Sequence, residues 1–419
     1  MKKLFEIVNH AYQTVPFYKE LAKDNDNFDR DITTMEEFQK LPLINKQMFQ
    51  EHMDQTLSEK YLHYPYFENL TIRRTSGSTG RYMKIYWDIN DTNKALWELW
   101  LKRKKYYDIS PRDKYCYFYT TNYILNKLVQ EEDISLSRDA RTLGFSKNGL
   151  NNEKLIEITK KIYEFNPKYL LIQPSMAILI ADCLEQNHMP KFRDLKYIEV
   201  TGEMLLDSVK QRLEDVFECK ICNQYGCNEA DSIASNSGDD LLHVHQSNVY
   251  IEIVRHGKVM PYGEYGDIYI TSLTNYAMPF IRYNIGDQGR LIQQGEDLIL
   301  ELKRGRSSEF IIDENNERLP FYILLRPIEH INEKIGNIIN QFQVIQNDIN
   351  DFTVRLSIKP NYIGWKKTIE KLYVENIKQP SLENANWNFE FHNQFYPENN
   401  TGKLSYFKND ISKGDKDGR

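Results

Sequence analysis

Between residues 150 and 224, short apolar runs alternate with stretches whose apolar residues recur every three or four positions, and few architectures accommodate that alternation. Leu155, Ile158, Ile162 and Phe165 mark one helical face, which Asn166–Pro167 stops. Tyr169–Ile172 then reads as a buried strand, and Pro174–Ser175 opens an apolar helix ending near Cys183 or Leu184. Tyr197–Val200 is a second strand, broken by Thr201–Gly202. Leu206, Val209, Leu213 and Val216 mark the next helix, and Lys220–Gln224 a third strand. Strands and helices alternating at this spacing imply βαβ units and a parallel sheet. Ligands of such sheets bind beyond the carboxyl ends of the strands. Two loops fall there, Thr201-Gly202-Glu203 and Tyr225-Gly226-Cys227-Asn228-Glu229. Each offers a glycine for close backbone approach and a carboxylate for a metal or a hydroxyl.

After Gly238 the period changes to two: Val249, Ile251 and Ile253 alternate, as do Ile268 and Ile270, with Gly257, Gly263 and Gly266 as turn signals. That is an antiparallel subdomain. Beyond Arg306 the expected order is helix, two strands (Phe342–Ile345, Phe352–Ile358), a helix (Ile363–Ile377) and a strand (Trp387–Phe391). A chain of 419 residues exceeds one ordinary core. The expected fold is therefore α/β: a large N-terminal domain over 1–304, with parallel sheets flanked by helices plus an antiparallel subdomain, and a small mobile α+β domain over 305–419.

The net charge of −6 gives no electrostatic footing for nucleic acid. The densest basic run, Lys102–Lys105, follows Trp97 and Trp100 and reads as the wet face of a helix. The N-terminal apolar stretch is short and holds Glu6, and the run Tyr169–Leu184 is interrupted by Gln173, Pro174, Ser175 and Asp182. Neither suits a signal or a membrane span, so no membrane partner and a cytoplasmic location are expected. Cys219 and Cys222 form a CxxC without a second ligand pair at finger spacing, which favours packing over zinc.

Thr75-Ser76-Gly77-Ser78-Thr79-Gly80 packs four hydroxyls and two glycines into six residues, a composition able to wrap phosphate oxygens. It lacks the Gly-Lys-Ser/Thr ending of a Walker loop, since Arg81 and Tyr82 follow Gly80. Alone, it is equally a polar turn. Tyr115, Tyr117, Phe118, Tyr119 and Tyr123 fit either an aromatic-rich strand or the lining of a pocket for a small acid.

Taken in order, these segments resemble the adenylate-forming superfamily, in the branch of phenylacetate–CoA ligase and its capsule-biosynthesis relatives. The resemblance runs through Val15–Leu21, Leu41–Lys46, Arg73–Arg81, Asn166–Ser175, Val200–Leu205, Asn223–Ala230, Met278–Leu291, Arg304–Ile311 and Asn399–Phe407. It implies ATP and Mg²⁺ as cofactors. Thr75, Ser76, Gly77, Ser78, Thr79 and Gly80 would hold the β- and γ-phosphates. Gly202 and Glu203 would line the adenine, Tyr225 with Gly226 would stack on it, and Asp287 would accept from the ribose hydroxyls. Glu229 would coordinate the metal, Arg306 would contact the ribose or a phosphate, and Lys403 would meet the α-phosphate and the acid.

The reaction so implied is adenylation of a carboxylic acid followed by transfer to the thiol of CoA or of a phosphopantetheinyl carrier protein. The acid is already ionised near neutrality, so catalysis reduces to positioning and charge stabilisation. An amine, hydroxyl or cofactor acceptor, or a non-catalytic nucleotide-binding role, are the alternatives. The sequence leaves the oligomer, a homodimer included, open. Three departures stand out. Arg81-Tyr82-Met83-Lys84 replaces the usual exit of the phosphate loop, and Asn228 replaces the hydroxyl before the metal glutamate. Ser307-Ser308-Glu309 replaces the acidic pivot. His243 and His245 persist where relatives hold a cysteine–histidine metal site, but Ser235 or Asn236 stands at the cysteine position, against structural zinc.

Overall fold

A computed structural model describes residues 1–23, 31–74, 83–119, 134–147, 149–306, 310–336, 338–398 and 404–411, with backbone only at 74, 304–306, 318, 320 and 322. The chain divides into two compact units, residues 1–111 with 223–303 and residues 112–222 with 304–419.

In the second unit the expected parallel sheet is present. Ile134–Leu136, Thr142–Ser146, Tyr115–Tyr119, Tyr169–Ile172 and Tyr197–Thr201 lie side by side in that order, all parallel except the first. Helices Asn152–Phe165, Pro174–Gln186 and Asp207–Phe217 carry the chain between strands. Local chemistry sets their ends. The Asn151 side chain accepts from the Lys154 amide at the first N-terminus, and Asn166 and Glu218 end two of the helices in left-handed backbone. Residues 174–184 are buried on every side, which explains why that helix lacks a polar face. The tyrosine run is a strand. Cys116 and Phe118 enter the core, whereas Tyr115 stacks on Tyr169 at 4.8 Å and Tyr169 on Tyr197 at 5.5 Å along one register row. Tyr123 lies outside the described residues.

The same unit holds a mixed sheet of Asn386–His392, Asp351–Ile358, Ile339–Asp348 and Phe407–Asn409, packed on helices Tyr322–Ile335 and Lys366–Glu375. Two pieces were not expected from periodicity: the hairpin Phe310–Ile312/Arg318–Pro320 and the final strand, both only three residues long. The second helix also starts later than its apolar pattern, after a 3₁₀ turn over Pro360–Trp365.

In the first unit, strands Val249–Arg255, Gly266–Ser272 and Tyr283–Gln294 form the antiparallel sheet, with Ile251 facing Ile270 and Ile253 facing Ile268. The N-terminal helices Lys2–Thr14 and Pro16–Lys23 pack onto it. Arg282 fixes that packing. It is buried at φ +46°, its guanidinium pairs with both Glu252 oxygens at 2.9 Å, and it donates to the carbonyls of Gln39 and Leu41 at 2.6 Å. The basic run is only half solvated. Arg103 is buried over Trp100 and Lys102 donates to the His243 carbonyl at 3.1 Å, leaving Lys104 and Lys105 outside and Trp97 exposed. The stems of arginine and lysine thus take up the apolar room that the tryptophan does not. Among the described residues no helix is long and apolar enough to cross a membrane.

Candidate functional site

In the first unit the strand ending Tyr225-Gly226-Cys227 turns back through Asn228–Ala230 into Asp231–Ser235. Its register shifts between Tyr225 and Gly226. Gly226 is required by that crossing, because a Cβ there would lie 2.0 Å from the Asp231 carbonyl oxygen. A second irregularity lies opposite Ile268. Asn284 pairs with Tyr269 and Gln288 with Asp267, so Ile285-Gly286-Asp287 bulges out with Gly286 at φ +84°. The bulge brings Asp287 Oδ2 to 2.6 Å from the Tyr225 hydroxyl, which donates to it. Asp287 is thus part of a bulge built on pairing.

Glu229 sits in the turn four residues beyond Tyr225 and is buried. Tyr283 donates to its Oε1 at 3.3 Å. Burial pushes this carboxyl up, while its own backbone, the Lys46 ammonium, the Cys227 thiol and the Tyr283 hydroxyl pull it back. On either side of it, Trp87 Nε1 donates to the Asn228 carbonyl at 2.8 Å, and Arg73 grips both Asp231 oxygens at 2.9 and 3.1 Å. Arg73 lies on the strand Leu70–Arg74, which pairs with Lys84–Asp88 up to Arg74–Lys84. The stems of the hydroxyl loop are therefore tied to the glutamate turn. Thr75, Ser76, Gly77, Ser78, Thr79 and Gly80 themselves lie outside the described residues.

In the second unit Gly202 has φ +82°, a conformation that suits glycine. Glu203 follows it, and three donors surround its carboxylate. The Ser175 amide donates to Oε2 at 3.0 Å, and the Ser175 hydroxyl and Leu404 amide each donate to Oε1 at 3.0 Å. Burial raises this carboxyl; the Ser175 and Leu404 donors and the buried Lys147 oppose the shift. Lys403 and the residues after Arg306 lie outside the described residues, and Arg306 is described by its backbone alone.

Comparison with known proteins adds a direct test of kinship. Residues 320–410 match the family described as the CapK C-terminal domain. Protein CapK of Staphylococcus aureus is 24% identical over 430 residues, covering 97% of this chain and 87% of CapK. Phenylacetate-coenzyme A ligase of Pseudomonas putida is 24% identical over 305 residues, covering 70% of this chain and 66% of the ligase. Both are homologues of this chain. A solved 2-hydroxyisobutyryl-CoA ligase in its postadenylation state superimposes with a TM-score of 0.76 at 15% identity, covering 98% of this chain and 89% of that one. The fold is that of the adenylate-forming ligases.

Several residues outside the expected set surround the expected ones. Ser175, Tyr283 and Lys46 each touch or face an expected site residue, Arg73 and Trp87 bond Asp231 and Asn228 on either side of Glu229, and all but Trp87 fall inside the matching segments. His245 is buried between the Ser232 and Ser235 hydroxyls, each 2.9 Å from one ring nitrogen, and burial pushes it down to about 3. His243 lies 3.0 Å from Asp239. Among the described residues no group of three or more His, Cys, Asp or Glu side chains could cage a metal. One buried carboxylate such as Glu229 is nevertheless the donor Mg²⁺ uses beside water and phosphate oxygens, so the residue fits that ion.

Proposed function

We propose that this chain is an adenylate-forming ligase that condenses a carboxylic acid with ATP to acyl-AMP and pyrophosphate, and then passes the acyl group to a thiol of coenzyme A or a phosphopantetheinyl carrier protein, releasing AMP. The observation that carries this reading is the Tyr225–Asp287 pair. A phenol ring held by a carboxylate pairs a stacking face for a base with an acceptor group of the kind that takes ribose hydroxyls. In the proposal Gly202 and the Glu203 backbone border the adenine, and Thr75–Gly80 hold the outer phosphates. Glu229 would hold Mg²⁺, which supplies charge neutralisation at the phosphates. Lys403 and Arg306 counter the negative charge that grows as the acid oxygen attacks the α-phosphorus. In this reading Lys403 and Arg306 belong to the small domain, 305–419, and the rest of the site to 1–304. The homology to phenylacetate-coenzyme A ligases and the shared ligase fold support the reaction class. A small apolar or aromatic acid beside the strand of Tyr117 and Tyr119 is part of the proposal, and Gly144 leaves room for the Tyr117 ring, which a Cβ there would meet at 2.5 Å.

ATP–pyrophosphate exchange over a panel of aryl, fatty and amino acids tests the proposal. Exchange with one acid class is expected; its absence for every acid, with no ATP binding, would overturn the reading. Lys403→Ala should lose exchange yet bind ATP. Adding coenzyme A or carrier proteins to the active pair then identifies the acceptor.

A further inference from the structure

We infer that Glu203 is a positioning residue whose side chain fastens the lysine-bearing segment to the parallel-sheet core of its unit; the inference rests on the adenylation reading above. Leu404 directly follows Lys403, and its amide donates to Glu203 Oε1 at 3.0 Å. The other donors to that carboxylate come from Ser175, at the start of the helix Pro174–Gln186, so Glu203 links a fixed helix end to the segment. Two buried glutamines hold the same segment from the small sheet. The Gln341 amide group donates to the Phe395 carbonyl at 3.0 Å and accepts from the Phe395 amide at 2.8 Å, and Gln343 donates to the Ser405 carbonyl at 2.8 Å. Phe342 stacks on Tyr406 at 4.8 Å. The chain from 395 to 406 is thus held at both ends by its own sheet, and Glu203 is the one described acidic group joining it to the core. A carboxylate suits this task because a charge-assisted bond to a backbone amide is short and strong. Both of its carboxylate oxygens are engaged by these donors.

The test compares wild type with Glu203→Gln, Glu203→Ala and Gln343→Ala in the full chain. Two quantities are read: amide hydrogen exchange at Leu404–Phe407 with ATP present, and ATP–pyrophosphate exchange with phenylacetate, benzoate, octanoate and the common amino acids. Glu203→Ala should expose the Leu404 amide and lower kcat of exchange about tenfold to a hundredfold, with KM for ATP within about twofold. Glu203→Gln, which keeps one acceptor oxygen, should fall between it and wild type. Gln343→Ala should lower kcat in the same direction. Retained protection of Leu404 in Glu203→Ala, or a rise in KM for ATP at constant kcat, overturns the latch. Failure of wild type to exchange with any acid, together with no ATP binding, overturns the adenylation reading instead, and the hydrogen-exchange result still decides whether Glu203 holds the segment.

Discussion

The Tyr225 hydroxyl donates to Asp287 Oδ2 across 2.6 Å, and a register shift on each of their strands brings the two together. A site assembled from two bulges keeps its geometry only while both irregular pairings hold, which is why glycine stands at 226 and 286.

If Asp287 receives the ribose, Asp287→Ala should raise KM for ATP about tenfold or more, the worth of a hydrogen bond to a charged group. Tyr225→Phe keeps the ring and should raise it only a few-fold. Exchange kinetics at varied ATP measure both, and an unchanged KM in Asp287→Ala would remove the residue from the nucleotide.

Glu229→Gln should separate stability from activity. Burial holds the folded carboxyl above its ordinary value. A raised carboxyl contributes stability that is present below the unfolded value and lost as pH climbs through the folded one. At neutral pH the ionised side chain therefore weakens the fold, and the glutamine variant should melt higher than wild type while exchange falls at least about a hundredfold. At pH 4 the melting difference should shrink. A variant that melts lower at both pH values contradicts the account.

His245 makes the opposite prediction. Its folded form titrates near 3, against 6.5 for the free side chain. The neutral ring contributes stability above pH 6.5, and that contribution drains away as pH falls from 6.5 toward 3, by about 1.4 kcal/mol per pH unit. Urea unfolding of wild type at pH 6.5 and 5 should show the loss, and His245→Asn should show less of it. Equal slopes for the two proteins would assign the acid sensitivity elsewhere.

The Arg282–Glu252 pair should be the most sensitive charge pair of the first unit. Removing one partner of a buried, fully bonded pair costs about 3–5 kcal/mol, so Glu252→Gln should lower the urea midpoint strongly. Arg255→Gln, which breaks the exposed pair with Glu264, should cost less than about 1 kcal/mol. Similar midpoints for both variants would show that Arg282 holds its position without the charge.

What could be read from the chain was set by local order. Tyr169–Ile172 and Tyr197–Thr201 declare themselves because a buried parallel strand is a continuous apolar run, and the period-two residues Ile251 and Ile268–Ile270 declare an antiparallel pair. The candidate residues Glu229, Tyr225 and Asp287 came from motif order, but their mutual geometry did not. Asp287 reaches Tyr225 through a bulge created by pairing with Asp267 and Tyr269, and no local pattern announces it. The Glu203 bond to Leu404 spans 201 positions, and nothing at Ser175, a helix start that closes the segment Asn166–Ser175, announces its bonds to Glu203. Arg103 departs from the wet face that amphipathicity predicts for Lys102–Lys105, because its stem and its stacking on Trp100 let it go inside.

The grip of Arg73 on Asp231, with Trp87 bonded to the Asn228 carbonyl, has an evolutionary corollary. The stem of the hydroxyl loop and the acidic turn after Tyr225 are one mechanical piece, though some 150 residues separate them in the chain. Positions 73 and 231 should therefore drift only as a pair, and homologues that lose the arginine should be the ones that have also lost the aspartate.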